Sequence, residues 1–175
     1  MKTTFISVKS ASKMGDLNQA LQRLRGSAIF VGIAKGVEGD KREDGAISNS
    51  DLGFIHEFGA PASNIPARPF LRPGVESARK KVAAGMGAAI KAALHDDEAL
   101  MDAALEQTGL NAATAVKDYM TKAPFAPLSP ATLRQRNRSR MTKGKRDNEL
   151  EGTNVRPLIN TGALLNSIEH YIEEA

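Results

Sequence analysis

Residues 55–73 read IHEFGAPASNIPARPFLRP, and four prolines stand in that stretch at positions 61, 66, 69 and 73. A proline fixes its own φ near −65° and pushes the residue before it into an extended conformation. Regular structure is therefore not expected between Gly59 and Phe70, and whatever this chain folds into has to be arranged around a stiff, pre-organised strip. Such a strip loses little entropy on docking. Phe70 and Leu71 supply an apolar anchor, and Arg68 and Arg72 supply planar donors suited to carboxylates. Aromatic residues beside arginines form the usual composition of interface hot spots. The same residues also fit a buried connector, with Phe70 in the domain's own core and the arginines as ion-pair formers. Both readings are open on the sequence.

The flanking pattern is α+β. Thr3–Lys9 alternates polar and apolar residues and is β-branched, as a strand requires. Asp16 is placed to cap a helix carrying Leu17, Leu21 and Leu24 on one face, ended by Gly26. Ser27–Ile33 (SAIFVGI) is the best strand in the chain, and the Gly-rich, charged residues Lys35–Gly45 read as a loop. A short helix is expected over Ile47–Phe58, with Leu52, Ile55 and Phe58 on one face. From Val75 the apolar spacing turns helical through Val82, Met86, Ala89, Ile90 and Ala93. Gly85 and Gly87 weaken that helix but leave room for a close neighbour. The acidic run Asp96-Asp97-Glu98 suits the start of a second helix. That helix reaches about Lys122, with Leu100, Ala104, Ala112, Ala115, Val116 and Tyr119 inward and a bend allowed at Gly109, until Pro124 and Pro127 stop it. The expected fold is a small, mostly antiparallel sheet packed against this long helical hairpin, with extended loops. Ser129 and Pro130 then open a further short helix. It leads into a charged loop, residues 139–156, expected to be mobile. Asn160 or Thr161 is placed to cap a closing helix through Leu164, Leu165 and Ile168, after which the chain can return as a strand.

Chemistry finds little purchase. There is no cysteine among the 175 residues, which removes disulfides and thiolate metal sites. His56-Glu57 is half of a zinc-protease motif, but the position where the second histidine belongs is Ala60. Gly32–Gly36 follows a strand yet lacks both the phosphate-loop and the dinucleotide spacing. No Gly-x-Ser-x-Gly elbow is present. The chain reads as a non-enzyme without cofactor or metal. No stretch is long and apolar enough to cross a bilayer, and MKTTFISVKS lacks the apolar core of a secretory signal. Synthesis in the cytoplasm is the expectation.

The net charge is +4, and it is unevenly spread. Arg134, Arg136, Arg138, Arg140, Lys143, Lys145 and Arg146 crowd one stretch. Such a run can bind phosphates through counterion release, without reading bases. It carries no aromatic residue for base stacking. An acidic protein surface is an equal candidate for its partner.

Three segments in order resemble the neck and tail-completion proteins of tailed bacteriophages. They are IHEFGAPASNIPARPFLRPGV, then PLSPATLRQR (Pro127–Arg136), then PLINTGALLNSI (Pro157–Ile168). The resemblance covers the middle and second half of the chain. It implies a single domain over residues 1–175, a structural protein of the virion that joins head to tail or completes the tail. Such a protein acts by contacts rather than catalysis, as a homo-oligomeric ring among other neck and tail proteins, with packaged DNA as a possible contact and no membrane. It is made in the host cytoplasm and resides in the neck or tail. In that setting the interface residues are Phe58, Arg68, Pro69, Phe70, Leu71 and Arg72, with Arg134–Arg146 as a secondary contact to DNA or to a partner. A nucleic-acid-binding module built on the basic loop is the competing reading.

Overall fold

Helix caps and proline stops set the element boundaries. The computed structural model describes residues 15, 18, 19, 21, 22, 24–34, 47–142 and 156–174, the side chains of 139–142 and 174 excepted. In chain order the elements are strand β1 (Ser27–Gly32), helix α1 (Asn49–Phe58), a 3-10 turn (Pro61–Ser63), helices α2 (Leu71–Ser77), α3 (Arg79–Leu94), α4 (Glu98–Lys122), α5 (Pro130–Thr142) and α6 (Ala163–Asn166), and strand β2 (Glu169–Glu174). The fold is α+β, with β1 and β2 paired in an antiparallel sheet and α3 and α4 packed as a hairpin. The expected strand at Thr3–Lys9 and the loop at Lys35–Gly45 lie outside the described residues.

The starts are explained by side chains that accept otherwise unsatisfied N–H groups. Ser48 Oγ accepts from Asp51 N at 3.0 Å at the head of α1. Asp97 Oδ1 accepts from Leu100 N at 2.9 Å at the head of α4. Ser129 Oγ accepts from Thr132 N at 3.2 Å, with Pro130 in the first helical position of α5. The α3–α4 turn is closed by His95 and by Asp96, which adopts a left-handed φ of 58°. Three expectations shift. The region from Val75 is two helices meeting at Ala78, and its first helix already begins at Leu71. Helix α5 runs on through Thr142, so residues 139–142 are helical where a loop was expected. The closing helix is one turn long, with Gly162 (φ 86°) at its cap position and Thr161 Oγ1 accepting from Ala163 N at 3.3 Å.

The chain divides into two compact units. The first comprises Met1–Val31, Val75–Ala115 and His170–Ala175. Its core is Ala89, Ala92 and Ala93 of α3 against Met101 and Leu105 of α4, with Leu24, Ile29, Met86, Ala104 and Ile172 packed on it. Leu100, expected inward, is exposed. Two adjacent apolar residues on a helix lie about 100° apart, so only one can enter the seam, and here it is Met101. The unbroken stripe Met101, Leu105, Thr108, Ala112 is spaced by threes and fours, as a packed helix face requires. Helix α4 does not break at Gly109. That residue instead lies under the ring of His170, whose Nε2 pairs with Glu106 Oε2 at 2.8 Å and ties β2 to α4. The strands turn Ile29 and Ile172 to the helices and leave Phe30 and Tyr171 outward, stacked with ring centroids 5.1 Å apart.

The hairpin closes most tightly at Gly85. A Cβ there would run into Thr108 Oγ1, while one at Gly87 meets nothing within 4 Å. Thr108 cannot swing its hydroxyl away at no cost, because Oγ1 donates to Ala104 O at 2.6 Å. Gly85→Ala should therefore lower the unfolding free energy by about 1 kcal/mol or more, overpacking outweighing the gain in helix propensity. Gly87→Ala should raise it by about 1 kcal/mol. Urea denaturation of the two variants checks the pair, and equal stabilisation by both would show that the helices are not held this close.

Candidate interaction surface

The second unit comprises Gly32–Gly74 and Val116–Glu169, and it holds the proline strip together with the PLSPATLRQR and PLINTG segments. Its geometry is set by how the proline strip is tied down. Helix α1 ends at Gly59 (φ 78°), whose N–H donates to Ile55 O at 2.7 Å. The 3-10 turn follows, Asn64 turns the chain in the left-handed region, and Ala60 bridges to Ile65. The strip then runs back along the end of α1, where Arg68 N donates to His56 O at 2.7 Å.

Glu57 fixes the next step. Its Oε2 accepts from Phe70 N at 2.7 Å and Leu71 N at 2.8 Å, and its Oε1 from Arg72 N at 3.2 Å. These are the N–H groups that the start of α2 leaves without helical partners, and the positive end of the helix favours a carboxylate there. Glu57 is a cap supplied from another helix, thirteen to fifteen residues away in sequence. The catalytic or metal-binding use weighed for His56-Glu57 has to compete with this role. Among the described residues no group of three or more His, Cys, Asp or Glu could hold a metal ion.

Arg68 points inward and is 5 % exposed. Its Nε donates to Ala126 O at 2.8 Å and an Nη to Pro127 O at 2.9 Å. Burial pushes its guanidinium pKa below the ordinary value, as expected for a cation moved out of water. Phe70 is 2 % exposed. Its ring edge stands 3.7 Å from where a Cβ of Gly53 would be, close to Leu164 and Ile33. Arg68 and Phe70 are thus internal to their own chain, and the expectation that they face a partner is corrected: one is a brace and the other is core. Leu71 is half-buried, whereas Phe58, Pro69 and Arg72 are exposed.

Phe58, expected on one face of α1 with Leu52 and Ile55 and named among the interface residues, is 66 % exposed and lies against Phe54, 65 % exposed, with ring centroids 4.7 Å apart. The positions of α1 that are fully buried are Asn49 and Gly53. Phe54 was not singled out from the sequence. The signal was present all the same, since two phenylalanines four residues apart on a helix form an adjacent pair.

The basic run divides too. Arg136 is a second brace, with its two Nη groups donating to Arg156 O (3.2 Å), Pro157 O (2.9 Å) and Ile159 O (3.3 Å). It ties the PLSPATLRQR segment to the PLIN segment. Arg134 and Arg138 are exposed, one helical turn apart on α5. The side chain of Arg140, and Lys143, Lys145 and Arg146 entirely, lie outside the described residues.

Glu57→Ala should cost about 2 kcal/mol, since three backbone donors lose a charged acceptor. Phe70→Ala should cost about 3–5 kcal/mol through the cavity it leaves. Phe58→Ala should stay within about 0.5 kcal/mol of the parent, as exposed substitutions do. Denaturant midpoints for the three variants test this order, and a Phe58 variant as unstable as the Phe70 variant would place the exposed ring in the core. Comparison with protein-family models, with characterised proteins and with solved structures finds no match to this chain.

Proposed function

We propose that this protein is a structural component of a tailed-phage virion that joins head to tail or completes the tail, working through protein contacts and without catalysis. The observation that carries the proposal is the exposed Phe54–Phe58 pair on a braced helix. Each residue is about two-thirds exposed, on an element whose neighbouring strip is tied down by Glu57 and Arg68. A rigid aromatic surface of this kind gains apolar burial on docking and loses little side-chain entropy. Pro69 and Arg72, exposed on the same strip, extend it with a stiff backbone and a free-standing donor group. The ordered resemblance of three segments to neck and tail-completion proteins gives the surface its context. It also points to a second copy of this chain, in a closed ring, as the first partner, with other neck and tail proteins beyond it.

Glu57, Arg68 and Arg136 support a role by contact. Each spends its polar atoms on backbone groups of its own chain, which serves shape rather than turnover. The test is a double variant, Phe54→Ser with Phe58→Ser. It should keep the parent's denaturation midpoint, sediment as a monomer where the parent forms a larger species, and fail to restore infectious particles to a phage lacking the gene, leaving separate heads and tails. A double variant that assembles and complements like the parent would remove the proposal.

A second reading rests on Arg134 and Arg138, exposed one turn apart. In this reading the basic segment contacts DNA. It expects binding of duplex DNA by the isolated protein that weakens steeply with salt, reduced by Arg134→Ala with Arg138→Ala. Absence of binding at low ionic strength would dismiss it.

A further inference from the structure

Strands β1 and β2 turn Ile29 and Ile172 onto the helical core of the first unit. Side chains alternate along a strand, so Ala28, Phe30, Tyr171 and Glu173 lie on the opposite face, and all four are exposed. Phe30 is 40 % exposed and Tyr171 50 %. Their rings are stacked at 10° with centroids 5.1 Å apart, close to the spacing of paired strands. The rings therefore stand side by side on neighbouring strands, each with one face against the other and its second face outward. Glu173 is two residues from Tyr171 on the same side of β2, about 7 Å along the strand. Among the described residues its carboxylate has no ion-pair partner. Glu106, by contrast, is engaged by His170. None of the four outward residues is basic, although the chain carries a net charge of +4.

We propose that this sheet face binds an arginine side chain presented by a partner protein. The faces of aromatic rings are electron-rich and attract a cation placed over them. A guanidinium lies flat on such a face and still directs N–H groups sideways, toward the Glu173 carboxylate, which an ammonium cannot do in the same pose. Rings and carboxylate thus call for the same occupant. Others match less well. An apolar partner would strip water from Glu173 and give it no bond in return. A nucleic acid or an anionic lipid surface would set its phosphates against that carboxylate. The face shares no residue with the Phe54–Phe58 pair, so the inference does not rest on the role in virion assembly and can fail or hold separately from it.

The test uses the full chain and three probes: acetyl-Gly-Arg-Gly-amide and its counterparts with citrulline, the neutral isostere of arginine, and with lysine. The chain has two tyrosines, so NMR of the tyrosine ring protons reads Tyr171 directly, with Tyr119 as internal control. The arginine peptide should shift the Tyr171 signals saturably and leave those of Tyr119 unmoved. The citrulline peptide should bind about tenfold more weakly, since it loses both the cation–π attraction and the ion pair. The lysine peptide should bind about threefold more weakly than arginine. Glu173→Gln, at an exposed position, should keep the parent's denaturation midpoint and weaken the arginine peptide by about threefold. Equal binding of the arginine and citrulline peptides, tighter binding of lysine than of arginine, no movement of the Tyr171 signals, or an unchanged affinity in the Glu173 variant would each overturn the proposal. Tyr171 signals that move with the protein's own concentration and not with peptide would overturn it in favour of a second copy on this face.

Discussion

One carboxylate holds the second unit in register. Glu57 meets three successive N–H groups at the point where the proline strip becomes helix α2. Prolines restrict a strip to extended forms and lack the N–H donors that would help say where it lies. The register has to come from outside, and it comes from the last turn of α1. With Phe70 N and Leu71 N anchored there, the Phe70 side chain is committed to the core and Arg68, two residues earlier, is turned toward the carbonyls of Ala126 and Pro127. The motif His-Glu-Phe-Gly and the motif Pro-Ala-Arg-Pro-Phe-Leu are two halves of one joint.

The arginines show why a side chain's type does not reveal its use. Arg68, Arg72, Arg134, Arg136 and Arg138 look alike in the sequence. Two of them, Arg68 and Arg136, give forked donors to carbonyl groups left over where proline interrupts the backbone pattern, at Ala126–Pro127 and Arg156–Pro157. Proline-rich segments leave carbonyls without N–H partners nearby, and a guanidinium, with five donors in a rigid fork, can satisfy several at once. The other three have exposed side chains, Arg134 with its Nε donating to Pro130 O on its own helix. Which arginine braces and which faces outward follows from where the chain passes a second time, information no local pattern contains.

The first unit rests on a different economy of space. Its core is largely alanine and methionine, so the helices must come close to exclude water, and Gly85 facing Thr108 marks the nearest approach. Aromatic residues make up only 5 % of the chain, and several of the large rings lie outside the core: Phe30 with Tyr171 on the sheet, and Phe54 with Phe58 on α1. Rings left in solvent in pairs are a heavier commitment than isolated ones, because each pair already buries its inner faces and presents a flat apolar surface outward.

Much of the architecture was legible in the residues. The hairpin α3–α4, the strand at Ser27, the capped start at Ser129-Pro130 and the stop at Pro124 follow from helical periodicity, capping chemistry and proline geometry, all of which act within a few residues. The α+β class follows from them. The roles of Glu57, Arg68, Phe70 and Arg136, the pairing of Phe54 with Phe58 and the choice of Met101 over Leu100 were not legible. Each depends on contacts between segments distant in the chain: thirteen residues for Glu57 and Phe70, fifty-eight for Arg68 and Ala126. By itself the sequence determined which elements form and that a stiff strip separates them. Only the tertiary structure decided which side chains of that strip are swallowed as core and brace and which remain on the surface, because burial is settled by what packs opposite, and a linear pattern carries no record of its opposite neighbour.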